Sequence, residues 1–204
     1  MKSVLRHIIF LLILMVSASR ANAQTMTNNG ASIFSDNALI FVAGELVTQD
    51  TGTYDNGGVI EVSGDWTNNT AAPIVFINGT AGSVLLSGGA QNIQGTSVTN
   101  FYDLKLTGTG NKTQMIDAST ADSLVLNDRE LATDTFTMYV TNTAPACITR
   151  STGFVSSLDT GGLSRDMLSL STYLFPVGSS VGVPRYRPAE VTPNSALAHT
   201  FKVR

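Results

Sequence analysis

Pairs of apolar residues two positions apart recur along this chain at a nearly constant interval. Ile40/Val42 is followed 20 residues later by Ile60/Val62, then by Val84/Leu86 after 24, Leu104/Leu106 after 20 and Leu124/Leu126 after 20. In two of these triplets the middle residue is charged, Glu61 and Lys105. Apolar, polar, apolar is the alternation of a strand with one face on a core and the other in water. Turn formers lie between the triplets, as in Tyr54-Asp55-Asn56-Gly57-Gly58 and Thr107-Gly108-Thr109-Gly110-Asn111. Such residues suit corners with positive φ. An interval near 20 is long for a hairpin but matches one coil of a β-solenoid, where each triplet lies over the last and inward residues stack in columns. The competing arrangement is a β-sandwich, whose strands come about every 8–12 residues. The apolar runs Ile74-Val75-Phe76-Ile77 and 136–140 would supply the extra strands. A sandwich leaves the repeated interval unexplained, so the expected fold is all-β, a β-solenoid with ~20-residue coils.

Composition agrees with that class. The 204 residues include 25 Thr, 18 Gly and 14 Asn, which are poor helix formers. Yet 43% of the chain is hydrophobic and mean hydropathy is +0.15, enough to bury a core. Cys147 is the single cysteine, so an internal disulfide or a cysteine-based metal cluster is excluded.

Residues 1–23 carry the pattern of a signal peptide. Lys2 and Arg6 precede the apolar run at 8–16, and Ala21-Asn22-Ala23 offers a cleavage site that leaves Gln24 as the new N-terminus. Nine continuous apolar residues fall short of the ~20 that cross a bilayer, so membrane contact is expected only through the cleaved peptide. Without residues 1–23 the formal charge changes from −3 to −6, which argues against nucleic-acid partners. The charge is also uneven. Residues 25–128 carry 2 basic and 10 acidic side chains, whereas residues 129–204 carry 7 basic and 5 acidic. Five of the six prolines lie at or beyond Pro145, and Thr160-Gly161-Gly162 interrupts the pattern. The expected organisation is a solenoid over 24–158, with 26–34 as its N-terminal cap, followed by the start of a second β module over 159–204. The terminal alternation of Ala198-His199-Thr200-Phe201-Lys202-Val203-Arg204 would leave a lone strand without a partner face, so truncation of a longer protein is expected.

Several segments resemble a known group of proteins. The signal ending Ala21-Asn22-Ala23-Gln24, the segment Ile60-Glu61-Val62-Ser63-Gly64-Asp65-Trp66-Thr67-Asn68-Asn69 and the segment Phe101-Tyr102-Asp103-Leu104-Lys105-Leu106 are similar to solenoid stretches of adhesin-like surface proteins. Those proteins are cargo of the type IX secretion pathway of gliding and related gram-negative bacteria. Tyr173-Leu174-Phe175-Pro176-Val177-Gly178 and Tyr186-Arg187-Pro188 resemble the module that follows the solenoid in them. The resemblance implies a secreted or outer-surface, non-catalytic adhesive or scaffold region that binds a surface glycan or protein. It implies no specific ligand.

Catalytic chemistry finds little support in the residues. His199 is the only histidine of the exported part and Cys147 has apolar neighbours, so neither suggests a nucleophile–base pair. Because β-helix folds include enzymes acting on polysaccharides, carboxylates matter; Asp103, beside Lys105, and Asp122 lie near successive triplets. A solvated charge pair is the expected explanation of Asp103 and Lys105. No Gly-Gly-x-Gly-x-Asp repeat, P-loop or His-Glu-x-x-His occurs, and no metal or cofactor is assigned. Trp66 and Tyr54 are the candidate ligand-binding residues, as an aromatic platform for sugar. The competing reading, which the bulk of such a ring favours, is cover over a coil edge or a core end.

Overall fold

The computed structural model describes residues 24–71, 76, 82–183 and 185–204. The expected signal peptide lies outside the described residues, as does the 74–77 strand apart from Phe76. The chain winds into a β-solenoid of about seven turns of roughly 20 residues. The first coil contributes β1 (Met26–Asn29), β2 (Ser32–Ser35) and β3 (Leu39–Val42), and the second β4 (Leu46–Asp50), β5 (Thr53–Asn56) and β6 (Val59–Val62). Next come β7 (Trp66–Thr70) and β8 (Ser83–Leu86), β9 (Gln91–Gly95) and β10 (Thr99–Leu106), and β11 (Lys112–Gln114) and β12 (Ala118–Val125). The later coils hold β13 (Glu130–Ala132), β14 (Thr137–Val140) and β15 (Ile148–Thr149), then β16 (Phe154–Ser156), β17 (Gly162–Met167) and β18 (Tyr173–Phe175). The described chain finishes with β19 (Val177–Ser179), β20 (Arg185–Tyr186), β21 (Ala189–Val191) and β22 (His199–Val203).

Two long sheets run along the solenoid. One is ordered β1-β4-β7-β9-β11-β13-β16-β19-β20, the other β3-β6-β8-β10-β12-β14-β17-β22 with β15 beside β12. The apolar triplets set the register of the second. Ile40 pairs with Ile60, Ile60 with Val84, Val84 with Leu104, Leu104 with Leu124, and Leu124 with Ile148, all parallel. Val42, Ile60, Val62, Val84, Leu86, Leu104, Leu106, Leu124 and Leu126 are all buried. An alternating strand can bury a side only by stacking on the next coil, because a single coil encloses too little apolar surface. The sandwich alternative is excluded: its strands would pair antiparallel as neighbours in sequence, and these pair parallel one coil apart.

Between Phe101 and Asp103 the β10–β12 register shifts, a β-bulge. Inward positions change parity there, from Phe101 to Leu104, so one eight-residue strand lines two walls. Corners behave as their composition suggests. Gly108 and Gly110 both have φ of +71°, and a Cβ on Gly108 would lie 2.1 Å from the Ser87 and Gly88 carbonyl oxygens. Buried asparagines tie corners across coils: Asn68 Nδ2 donates to Val98 O at 2.9 Å while its Oδ1 accepts from Thr70 N–H at 3.1 Å. The stretch 54–58 differs from expectation, since Tyr54, Asp55 and Asn56 are in β5 and only Gly57 and Gly58 make the corner.

Three boundaries are corrected. Residues 26–34 are no cap; β1 and β2 are first-coil strands, parallel to β4 and β5. The solenoid does not stop at 158. β17 stacks parallel on β14 and β19 on β16, because Leu163, Met167 and Val177 continue the inward columns. Gly161 and Gly162 turn a coil there, their N–H groups donating to Asp134 O and Phe136 O of the coil below. The terminal strand has a partner: β22 runs antiparallel along β17, from Leu163 opposite Val203 to Met167 opposite His199.

Candidate functional site

Trp66 and Tyr54 do not form a surface platform. Both are 0% exposed, inside the solenoid. Trp66 opens β7 at an inward register position over Leu46 and under Ile93. Its ring stacks on Phe76 at 5.8 Å and meets Phe101 edge-on at 5.3 Å, and its indole N–H donates to Thr99 Oγ1 at 3.0 Å. The Tyr54 hydroxyl accepts from Thr48 Oγ1 at 3.2 Å, and burial raises its pKa. Strand alternation puts both rings inside, where their area is worth most.

The carboxylates tie coils together. Asp103 faces outward and accepts from Ser83 Oγ at 3.3 Å, from Ser123 N–H at 3.1 Å and from Ser123 Oγ, so it bridges β8, β10 and β12. Asp122 accepts from Asn142 Nδ2 at 2.7 Å. Each carboxylate is therefore already held by neighbouring coils. The ion pair among the described residues is Arg129–Asp128, between chain neighbours.

At the C-terminal end, His199 Nε2 lies 2.9 Å from Ser195 Oγ. It opens on a cavity of about 310 Å³ lined by Thr192, Pro193, Asn194, His199 and Phe201. No carboxylate lines this groove, and Asp166 nearby accepts instead from the Thr200 hydroxyl at 2.6 Å. An orienting acid is what would make the serine–histidine contact a catalytic unit.

Two interior cations escaped the sequence reading. Arg165 is fully buried on β17. Its Nη1 donates to Leu174 O at 2.6 Å, and its Nη2 to Ala144 O at 3.1 Å, Pro145 O at 3.0 Å and Cys147 Sγ at 3.2 Å. Burial pushes the Cys147 thiol pKa up, with Arg165 opposing. The alternation Leu163-x-Arg165-x-Met167 was a usable signal, since it sets the arginine at an inward position. Lys112 on β11 is likewise buried, its Nζ donating to Gly88 O at 3.0 Å, Gly89 O at 2.7 Å and Gln91 Oε1 at 2.7 Å. These cations fasten corners from within.

Lys112 yields a pH prediction. Burial first, and Arg129 second, lower its pKa from 10.5 to about 8. Below about 8 the ammonium is charged in both folded and unfolded states and its desolvation penalty is fully present. Between about 8 and 10.5 the folded state sheds the proton first, so stability rises with pH. Lys112→Met removes the ammonium hydrogen bonds to the Gly88 and Gly89 carbonyls and to Gln91 Oε1, and should destabilise by about 1–3 kcal/mol. The stability gap between wild type and Lys112→Met, measured by urea unfolding, should widen from pH 7.5 to 9.5. A gap that stays constant would show that the lysine is not desolvated.

The outer face of the first sheet carries the most regular chemistry. Thr27, Val47, Thr67 and Gln94 align in one row across β1, β4, β7 and β9, and Asn29, Gln49 and Asn69 in a second. Thr67 Oγ1 donates to Glu45 Oε1 at 2.6 Å and accepts from Gln94 Nε2 at 3.1 Å, so the first row is internally braced. Successive rungs are about 4.8 Å apart, a spacing imposed by the backbone ladder. No helix among the described residues is long and apolar enough to cross a membrane. No protein family, curated protein or solved structure matches this chain.

Proposed function

We propose that this chain is an exported, non-catalytic segment of a gram-negative cell-surface adhesin or scaffold, presenting a rigid polar β surface to a glycan or protein. The observation that carries the reading is the pair of outward rows on the first sheet, above all Asn29, Gln49 and Asn69. Amide groups repeated at a fixed spacing on a stacked backbone are preorganised, so little entropy is lost on contact with an extended ligand. Export and type IX secretion rest on the residue pattern of 1–23 and on the resemblance of the solenoid segments.

The test is binding of the purified protein to immobilised polysaccharides and cell-envelope preparations. Weak, saturable binding is expected, falling at least tenfold in Asn29→Lys/Gln49→Lys with an unchanged melting temperature. Absence of binding to every surface would refute the adhesive reading, and released oligosaccharide would replace it with an enzymatic one.

A further inference from the structure

The rows on the outer face of the first sheet have a direction, a period and a charge, and together these select one kind of ligand. Asn29, Gln49 and Asn69 follow one another across β1, β4 and β7, so their row runs along the solenoid axis, perpendicular to the strands. Thr27, Val47 and Thr67 form a second row beside it, two residues and roughly 6.7 Å away along each strand. Asn29 and Asn69 are exposed and Gln49 is half-buried. The carboxamides of Asn29 and Gln49 have no hydrogen-bond partner among the described residues. Asn69 Oδ1 accepts from Thr96 N–H at 3.1 Å, and its amide N–H groups point to no acceptor among those residues. A carboxamide is donor and acceptor at once, as is a sugar hydroxyl.

The period separates the polymers that could lie along such a row. Rungs repeat about every 4.8 Å. An extended peptide presents same-side groups about every 6.7 Å, so it is about 2 Å out of step by the second rung. A β-1,4-linked pyranose chain is also extended but advances only about 5 Å per sugar, and it stays within about 1 Å over three rungs. Successive sugars are flipped, yet both edges of the chain carry hydroxyls.

Charge narrows the choice further. Residues 24–104 hold seven acidic side chains and no lysine or arginine. Two of the acids stand at this face. Glu45 accepts from Thr67 Oγ1 at 2.6 Å, and Asp65 accepts from Asn92 N–H at 2.7 Å and from Asn92 Nδ2 at 3.1 Å. A uronate, sulfate or phosphate lying along the rows would meet these carboxylates with no cation to offset them.

We propose that the rows bind a neutral, extended β-1,4-linked polysaccharide, one sugar per coil, with its chain along the solenoid axis. Asn29, Gln49 and Asn69 exchange hydrogen bonds with the hydroxyls of successive sugars, and Val47 supplies apolar contact for the middle ring. The inference rests on the adhesive reading above and names its ligand class.

Titration calorimetry with β-1,4-linked oligomers of glucose, mannose and N-acetylglucosamine, from dimer to hexamer, tests it. At least one series should bind, its affinity rising about tenfold or more from dimer to tetramer and then levelling off, because the added sugars reach further carboxamides. Oligomannuronate keeps the linkage but adds charge, and maltohexaose is neutral but coiled; both should bind at least tenfold more weakly. Gln49→Ala, shown to be folded by its melting curve, should lose most of the gain with length. Failure of all three neutral series overturns the inference. So does affinity that is independent of length, oligomannuronate or maltohexaose binding as tightly, or a Gln49→Ala variant that binds like wild type. If envelope preparations still bind through Asn29 and Gln49, the adhesive reading survives that failure and a peptide becomes the ligand to seek; if they do not, both fall together.

Discussion

Leu104→Asp should unfold the coils on both sides of β10 as one unit. Leu104 is buried between Val84 below and Leu124 above, in the column that sets the register of the second sheet. Removing the leucine side chain forfeits about 2–5 kcal/mol of burial and packing. A carboxylate there has no cation to pair with, which adds a desolvation penalty of several kcal/mol or forces water into the column. The sum is comparable to the ~5–15 kcal/mol that holds a typical domain together. Each coil is stabilised by its neighbours, so the damage spreads. Hydrogen exchange should show amides of β8, β10 and β12 losing protection together, with a single early transition on heating. Loss confined to β10 would mean that the coils are energetically independent.

Trp66→Ala should cost about 3–5 kcal/mol, the usual range for removing a large buried ring. The ring is shared by Tyr54, Phe76 and Phe101, so its loss opens a cavity at the centre of an aromatic cluster. Thr99 also loses the indole donor. The milder Trp66→Phe keeps most of the packing and should lose only about 1–2 kcal/mol, chiefly from the unpaired hydroxyl. Ligand binding, once a ligand is found, should be unchanged in Trp66→Phe. A variant that melts like wild type but no longer binds would restore the sugar platform and refute the interior role. Melting curves together with binding isotherms decide between the two.

The spine of the fold was legible because its signal is local and repeated. Ile40, Ile60, Val84, Leu104 and Leu124 needed no structure to be placed above one another, since alternation gives the inward face and the interval gives the coil. The C-terminal boundary was misread because Gly161 and Gly162 look alike whether they turn a coil or separate modules. The candidate site was misread for a related reason. Trp66 stands at an inward position, yet composition cannot say whether a large ring by a repeat is covered by another coil. The cover includes Phe76 and Phe101, 10 and 35 residues away in the chain.

Alternation, interval and net charge belong to the chain alone, and they sufficed for an all-β stack of parallel coils with an acidic front. The interior roles of Arg165 and Lys112 did not follow, because a buried cation is tolerable only where distant carbonyls converge on it. Those carbonyls, of Ala144, Pro145 and Leu174 for Arg165 and of Gly88 and Gly89 for Lys112, meet the cation only after the coils have stacked. The pairing of β22 with β17 is the same kind of decision. It joins residues such as Leu163 and Val203 that no local pattern links, and it turns the pairing of that sheet from parallel to antiparallel.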